Sequence, residues 1–394
     1  MRSRALVRTR WVGACACAAL VLAGCGAATS GSSAITVSGK TLVVYAGQPP
    51  GPAGPAVSDT LDAERLALAK AGPKAGGFTV QLVAVHGREL SDNARTAIED
   101  QRSIAYLGEL VAGTSQVSVE ILNQQGLLEV SPADTAVYLT QPISPVSSSP
   151  NNFYPARSTY HQTFARVVPN SGLEAKALVG EMQALSVSKL YVADDGRLYG
   201  RALALEVTQA ARSAGLTLVG SAAGADGVFY GASADSPGAR ASAVSSLDRD
   251  AAANPSAKLF APSGLDDSAF VSALSSGAQR RLYVSSPGFL PKDLPSAGRV
   301  FVSDFKSTYG HDPAPQAIFG YEAMSDLLYV LGKAGSSASD RAAVVSGFRA
   351  LKDPPNSVIG SYSISGGDPS IAPIIFSRVR DGQLRPFKFV QLSG

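Results

Sequence analysis

Few residues of this 394-residue chain have the types and spacing of a catalytic site. The three histidines, His86, His161 and His311, are scattered, so neither a metal cluster nor a serine–histidine pair is indicated. The sequence has no G-x-S-x-G elbow, no H-E-x-x-H motif and no P-loop. Asp194 and Asp195 could act as paired carboxylates, but adjacent side chains after a strand tend to diverge. We therefore expect that this protein is not an enzyme and has no catalytic residue, metal or cofactor. An exported hydrolase is the alternative.

A different kind of chemistry is indicated at a cysteine near the start of the chain. Cys25 ends the quartet Leu22-Ala23-Gly24-Cys25, which follows four arginines and an apolar run over residues 11–22. This arrangement is typical of a secretory signal peptide, here residues 1–24, and the run is shorter than the ~20 residues of a membrane span. The quartet resembles the lipobox of bacterial lipoproteins, which implies cleavage before Cys25 and acylation of its sulfur. An ordinary cleaved signal with an incidental cysteine is the alternative.

The chain beyond Cys25 has no cysteine, and the chain after the leader has almost no net charge. Cys15 and Cys17 lie inside the leader, so disulfides and cysteine-ligated metals are excluded from the folded body. Without the four leader arginines, 30 of the 34 basic residues remain against 31 acidic residues. We therefore expect no nucleic-acid partner. No later stretch is long enough to span a membrane, so the lipid on Cys25 is the expected membrane contact.

Short apolar runs alternate with helical patterns after a glycine-rich tether over residues 25–39. The strand signals are residues 41–45, 78–85, 104–107, 127–130, 164–168, 190–193, 216–219, 228–230, 258–261 and 282–285. They predict an α/β protein with two doubly wound parallel-sheet lobes. Seven residues, 221–227, separate two signals where a parallel crossover needs a dozen or more, so the pairing there is left open. Residues 361–390 look like a meander of three strands.

Five segments occur in an order that suggests a known family. They are residues 104–108 with 126–133, 164–170, 192–195 with 199–200, 305–310 and 319–323. In this order they resemble type I solute-binding proteins of the branched-chain amino acid ABC transporter class. The resemblance implies an extracytoplasmic receptor that holds a small polar solute, such as an amino acid, an amide or a related small acid. Hinge closure of two lobes would bind the solute, and the permease subunits of an ABC importer would receive it.

The resemblance also implies three crossings between the lobes, near residues 168–170, 286–288 and 360–362. The N-terminal lobe would then comprise residues 40–168 with 288–361, and the C-terminal lobe residues 169–287 with 362–394. We expect a monomer, held by its lipid at the outer face of the cell membrane. A sensory or orphan binding lipoprotein without a transporter is the alternative, and a neighbouring permease pair in the genome would favour transport over it.

Ligands of open α/β sheets lie beyond the carboxyl ends of the strands, which directs attention to the loops there. In the first such loop the family has a hydroxyl at the position of Ala112 that binds a ligand carboxylate. Ala112 cannot donate that bond, whereas the backbone N–H groups of Gly113 and Thr114 at a helix start can. In the second loop the family uses the backbone at Ala133 and the hydroxyl at Thr135, and both are retained. Helix capping is the alternative role of the two threonines.

Three further ligand-binding residues are expected in the second lobe. Tyr199 would stack on the ligand, unless it is a half-buried core tyrosine. Ser233 lies close to the sequence position at which the family has an aromatic residue. Ser263 occupies the position at which the family has the acid that pairs with a ligand ammonium. Because a buried ammonium without a counter-charge is costly, a less charged ligand such as an amide, a small acid or an aromatic compound is expected. Asp266 and Asp267 could replace the acid, unless they only begin a helix.

Overall fold

The computed structural model describes residues 35–51, 54–144, 146 and 148–393. The predicted signal peptide, Cys25 and most of the tether lie outside these residues. Within them, no helix has both the length and the apolar character that crossing a membrane requires.

Strands and helices alternate along the described chain. The strands are β1 (Thr41–Gly47), β2 (Lys74–Ala75), β3 (Phe78–Val85), β4 (Ser103–Leu107), β5 (Leu128–Ser131), β6 (Phe164–Arg166), β7 (Lys189–Asp194), β8 (Thr217–Leu218), β9 (Gly227–Gly231), β10 (Lys258–Ala261), β11 (Leu282–Pro287), β12 (Ile364–Ser365), β13 (Asp368–Pro369), β14 (Ile371–Arg380) and β15 (Gln383–Ser393). The helices are α1 (Pro55–Ala71), α2 (Leu90–Glu99), α3 (Ser115–Asn123), α4 (Arg157–Tyr160), α5 (Ser171–Ala184), α6 (Leu198–Ser213), α7 (Pro237–Ala253), α8 (Ser268–Ala273), α9 (Ser276–Gln279), α10 (Ser296–Tyr309), α11 (Ala317–Ala334) and α12 (Arg341–Arg349).

The first lobe is built on a sheet with the strand order β2-β3-β1-β4-β5-β6. All neighbours in it pair in parallel except β2 with β3. Leu42 and Val44 of β1 pack on one face, in a core with α1, α11 and α12. Val43 and Tyr45 point to the other face, where α2 and α3 cover them. Helices on both faces explain why β1 is apolar at consecutive positions from Leu42 to Ala46.

The second lobe is built on a sheet with the order β15-β14-β11-β10-β9-β7-β8. Strands β7 to β11 pair in parallel, and β14 and β15 extend the sheet as an antiparallel edge. The predicted doubly wound α/β class with two parallel-sheet lobes is thereby confirmed. Because β7 lies between β8 and β9, the short 221–227 connection never joins neighbouring strands. A 3₁₀ turn, Ala222–Gly224, stands in that connection.

The chain after α12 differs from its prediction. A single three-stranded meander was expected, but β12 and β13 form a separate hairpin, and β14 and β15 belong to the second sheet. The Asp381-Gly382 pair does form the turn of the β14–β15 hairpin, with Asp381 at a φ of 52° and Gly382 at 72°. Strands β12 and β13 could not be separated in the sequence, because each is only two residues long and so carries no readable periodicity.

Three connections lead from one lobe to the other: residues 167–170 between β6 and α5, residues 288–295 between β11 and α10, and Ser370 between the β12–β13 hairpin and β14. Near the second connection, the Phe289 ring stacks on Phe389 with their centroids 5.4 Å apart. Tyr362 and Ile364 are buried with side chains of the first lobe. The predicted lobe limits, with a crossing near 360–362, stay a prediction.

Candidate functional site

Loops at the carboxyl ends of the two sheets meet where the two lobes contact each other. This contact region is called the cleft. Thr135, after β5, has its Oγ1 3.0 Å from the Tyr199 hydroxyl and 3.3 Å from Ser263 Oγ. Tyr199 Oη and Ser263 Oγ are themselves 3.3 Å apart. Ser233 Oγ donates to the carbonyl oxygen of Ala112 at 2.8 Å. The structure thus brings five of the predicted residues together, and their ligand binding stays a prediction.

The Tyr199 ring is seated against the backbone of Gly113. A Cβ at position 113 would lie 2.6 Å from the ring's Cγ, and Gly113 has a φ of 82° that favours glycine. Tyr199 is 4% exposed, and burial raises the pKa of its hydroxyl. The phenol therefore stays neutral and can donate or accept a hydrogen bond.

A carboxylate that the sequence interpretation missed lies at the start of α3. Asp134 Oδ1 accepts from the Gly113 N–H at 2.8 Å and Oδ2 accepts from the Ser115 N–H at 2.7 Å. Its side chain is fully buried, and Oδ1 also accepts from the Ala136 N–H at 2.9 Å. One of the two amides expected to hold a ligand carboxylate, the Gly113 N–H, thus bonds a carboxylate of the protein, together with the unpredicted amides of Ser115 and Ala136. The sequence signal that could have indicated this carboxylate is the position of Asp134 directly after Ala133.

Two other predicted residues, Ala133 and Thr114, also have hydrogen-bond partners within the protein. The Ala133 N–H donates to Ser131 Oγ at 3.2 Å, and Ser131 Oγ donates to the carbonyl of Glu109 at 2.8 Å. Thr114 is buried, and its Oγ1 donates to the carbonyl of Val111 at 2.6 Å. These bonds tie the two loops to neighbouring backbone carbonyls at the sheet edge.

A second missed acid stands behind Ser263. Glu174 of α5 accepts from the Ser263 N–H at 2.6 Å, from Ser263 Oγ at 2.8 Å and from Ser285 Oγ at 2.7 Å. Burial raises its pKa to about 7. The carboxyl that the sequence lacks at position 263 is thus present one hydrogen bond away. Glu174 lies in the first turn of a helix, where an acid is ordinary, so its position gave no functional signal.

The two candidate replacement acids have different surroundings. Asp266 is partly buried, which raises its pKa to about 6, and it accepts from Gln316 Nε2 of the first lobe at 2.5 Å. Asp267 accepts from the Phe270 N–H at 2.6 Å as the N-cap of α8 and from Arg240 Nε at 2.8 Å. Asp267 therefore begins a helix, as its alternative interpretation had it, whereas Asp266 bridges the lobes.

Arg166 supports the loop that carries Thr135 from behind. Its Nη1 donates to the Asp134 carbonyl at 2.8 Å and its Nη2 to the Ala136 carbonyl at 2.7 Å. The same fully buried guanidinium lies 2.9 Å from a carboxylate oxygen of Asp368. Residue 368 begins β13, so one arginine connects the end of β6, the site loop and the β12–β13 hairpin.

Buried glutamates add to the acidic surroundings of α3. Glu109 accepts from the Tyr106 hydroxyl at 2.7 Å, and Glu129 accepts from Ser118 Oγ at 3.0 Å. Burial, reinforced by the charge of Asp134, raises the pKa of Glu109 to about 7 and that of Glu129 well above its ordinary value. These carboxyls hold protons more firmly than exposed ones, so they reduce the charge that burial would otherwise penalise.

The described residues hold no group of three metal-ligating side chains placed for a metal ion. Asp194 accepts from the Gly196 N–H at 2.8 Å, and Asp195 accepts from the Arg197 N–H at 3.0 Å. The two carboxylates thus cap different amides of one loop. The hydroxyls of Thr135, Tyr199 and Ser263, which meet between the lobes, are hydrogen-bonding groups suited to holding a polar molecule.

Two sheet lobes joined by three connections, with polar loops meeting between them, form the architecture of a two-lobe binding protein. Residues 49–383 match the family model described as periplasmic binding protein, and this chain belongs to that family. A comparison with curated proteins found no match.

Solved structures share the fold at low sequence identity. A leucine-binding protein from Thermotoga maritima superposes with a TM-score of 0.71 at 18% identity, covering 89% of this chain and 98% of its own. A substrate-binding protein of an ABC transporter from Desulfitobacterium hafniense, in complex with leucine, gives 0.68 at 20%, covering 88% and 100%. A solute-binding protein from R. palustris, in complex with benzoate, gives 0.67 at 16%, covering 90% and 97%.

Proposed function

We propose that this protein is a lipid-anchored extracytoplasmic receptor that binds a small polar solute between its lobes and delivers it to an ABC importer. The observation that carries the proposal is the set of hydroxyls that meet across the cleft. Thr135 comes from the first lobe, and Tyr199 and Ser263 come from the second. Family membership and neighbours crystallised with leucine and benzoate support the solute class.

Binding would exchange contacts within the protein for contacts with the solute. When the lobes separate, Thr135 loses its hydrogen bonds to Tyr199 and Ser263, and the three hydroxyls face the open cleft. A solute with donors and acceptors replaces those bonds on closure, so its affinity depends on how fully it satisfies them. Rotation at the three connections between the sheets would produce the closure.

A thermal-shift screen of the full-length protein tests the binding function. The panel should contain leucine, isoleucine, benzoate and the amide of each. A ligand at 100 times its Kd adds ~2.7 kcal/mol to the free energy of unfolding, which a melting curve detects readily. If no member of the panel shifts the melting temperature, the proposed solute class is wrong.

Delivery to an importer needs a cellular measurement. Cells that lack this protein should take up the radiolabelled ligand of the screen more slowly, and the restored gene should return the rate. Unchanged uptake alongside tight binding would favour a sensory receptor over a transport receptor.

The lipid anchor is proposed from the quartet that ends at Cys25. Cys25→Ser removes the thiol that acylation needs, so the protein should move from the membrane fraction to the soluble fraction. Labelling with radioactive palmitate should be lost in the same variant and kept in Cys17→Ser. Equal labelling of both variants would contradict an anchor at Cys25.

A further inference from the structure

Three of the four groups expected to hold a ligand carboxylate are engaged by the protein itself. The Gly113 N–H donates to Asp134, the Ala133 N–H donates to Ser131 Oγ, and Thr135 Oγ1 lies within hydrogen-bond distance of Tyr199 Oη. Two of these groups are backbone amides held by loop geometry. A ligand carboxylate would have to displace the Asp134 carboxylate from α3 before it reached the Gly113 N–H.

The negative charge of the surrounding carboxylates also disfavours a ligand carboxylate. The Asp134 side chain is fully buried and the Glu174 carboxyl is nearly so, which leaves little water to screen an added negative charge. Arg166 contacts the same loop, but its guanidinium bonds the carbonyls of residues 134 and 136 and pairs with Asp368 at 2.9 Å. A second carboxylate beside Asp134 would therefore meet a like charge with no free cation bonded to it.

We infer that Asp134 is the specificity-determining residue of the cleft. It excludes solutes that carry a free carboxylate and admits those that carry an amide or an amine in its place. This inference rests on the proposed receptor function and names its ligand class. An amide can donate hydrogen bonds to the oxygens of Asp134 and Glu174, whereas a carboxylate can only accept.

Matched acids and amides test the inference on the full-length protein. Isothermal titration calorimetry should compare leucine with leucinamide and benzoate with benzamide. In the wild type the amide of at least one pair should bind at least ~10-fold more tightly than its acid, since placing like charges together costs several kcal/mol.

Two substitutions separate the charge of Asp134 from its capping role. Asp134→Asn keeps an oxygen that can accept from the Gly113 N–H and removes the charge, so the preference for the amide should shrink to about threefold or less. Asp340→Asn is the matched control because Asp340 also caps a helix, accepting from the Ala342 N–H at 2.9 Å. It lies at the opposite end of β4, where the next residue, Arg341, bonds the Ser103 carbonyl. The control should keep the wild-type preference.

The outcomes distinguish this inference from the function on which it rests. Tighter binding of the acids by the wild type, or an amide preference that Asp134→Asn leaves unchanged, would overturn the inference alone. Binding of none of the four compounds by either protein would overturn the inference and the proposed function together. If Asp134→Asn fails to fold, the comparison of acid with amide in the wild type still decides.

Discussion

Tyr199 contributes to the cleft through both its ring and its hydroxyl. The ring packs on Gly113, and the hydroxyl lies between Thr135 and Ser263. The ring contact joins the two lobes by packing, and the hydroxyl contact joins them by hydrogen bonding. A substitution can remove one contact and keep the other, which makes the two separable by experiment.

Tyr199→Phe should weaken binding of the best ligand of the screen by about 3- to 10-fold, the worth of one hydrogen bond. Tyr309→Phe is the control, because it removes a hydroxyl that donates to the Asp62 carbonyl at 2.8 Å outside the cleft. Both variants should lose similar stability in urea. Calorimetry that finds equal affinity in Tyr199→Phe and in the control would remove this hydroxyl from the site.

Gly113→Ala tests the ring contact. Gly113 and Gly196 both have positive φ, 82° and 75°, but a Cβ at Gly196 would meet nothing within 4 Å. Both alanine variants should lose ~1–2 kcal/mol of stability from the left-handed backbone. Gly113→Ala should in addition displace Tyr199 and hold the lobes apart, which small-angle scattering would detect as a larger radius of gyration. Equal radii in the two variants would contradict a role for this contact in closure.

Cleft residues that match a family pattern could be predicted from the sequence, whereas cleft residues defined by tertiary contacts could not. Thr135 and Tyr199 follow apolar strands, so their place at a sheet edge was predictable. Asp134 and Glu174 are ordinary acids at turns and helix starts until the fold brings distant segments to them. No local pattern indicates that Asp134 meets Gly113, since 21 residues separate the bonded pair.

At the scale of elements, strands were more readable than helices. Continuous apolar runs marked nearly all strands of the two large sheets. Helix α7 gives little helical periodicity in the sequence, because it is rich in alanine and serine and buries few residues, Ala243, Leu247 and Ala251. Its start was readable in principle, since Ser236 caps it and proline occupies the first turn. A helix with a small buried face gives little periodicity to recognise.

The packing of α1 on α11 includes a buried acid. Glu64 of α1 is fully buried, and within the described chain neither carboxylate oxygen has a hydrogen-bond partner. Burial raises its pKa well above the ordinary value, so the side chain is held neutral. An unpartnered polar group in a helix interface costs stability that an apolar side chain of similar volume would recover.

Glu64→Met should raise the free energy of unfolding by ~1–3 kcal/mol, measured in urea. The flexible methionine side chain has a similar length and can fill the same space. Glu99→Met, at an exposed position of α2, is the control and should change stability by ~0.5 kcal/mol or less. A loss of stability in Glu64→Met would show that the carboxyl has a favourable role in this interface.

At the scale of the molecule, buried acids set the pH dependence of stability. Burial raises the pKa of Glu109 and Glu174 to about 7 and that of Asp266 to about 6. In the unfolded chain these carboxyls return to lower pKa values, so the folded state binds more protons between about pH 4 and pH 7. Their stabilisation is full below that window and is lost as the pH rises through it.

We expect the free energy of unfolding to be lower at pH 8 than at pH 5 by ~2 kcal/mol or more. Urea titrations at the two pH values measure the difference. Glu109→Gln removes one of the contributing groups and keeps an oxygen for the Tyr106 hydroxyl, so its pH dependence should be weaker. Higher stability at pH 8 in the wild type would contradict the assignment of raised pKa values to these acids.

Arg166 has a consequence for how this sequence can diverge. Its guanidinium is shared by the Asp134 and Ala136 carbonyls and by Asp368, which lie far apart in the chain. Loss of Asp368 alone would leave a buried cation without its counter-ion. Loss of Arg166 alone would leave the Asp368 carboxylate without its counter-ion and the two carbonyls without their hydrogen-bond donor. In descendants of this gene, positions 166 and 368 should therefore be inherited as a pair or replaced as a pair, even where the cleft evolves a different preference.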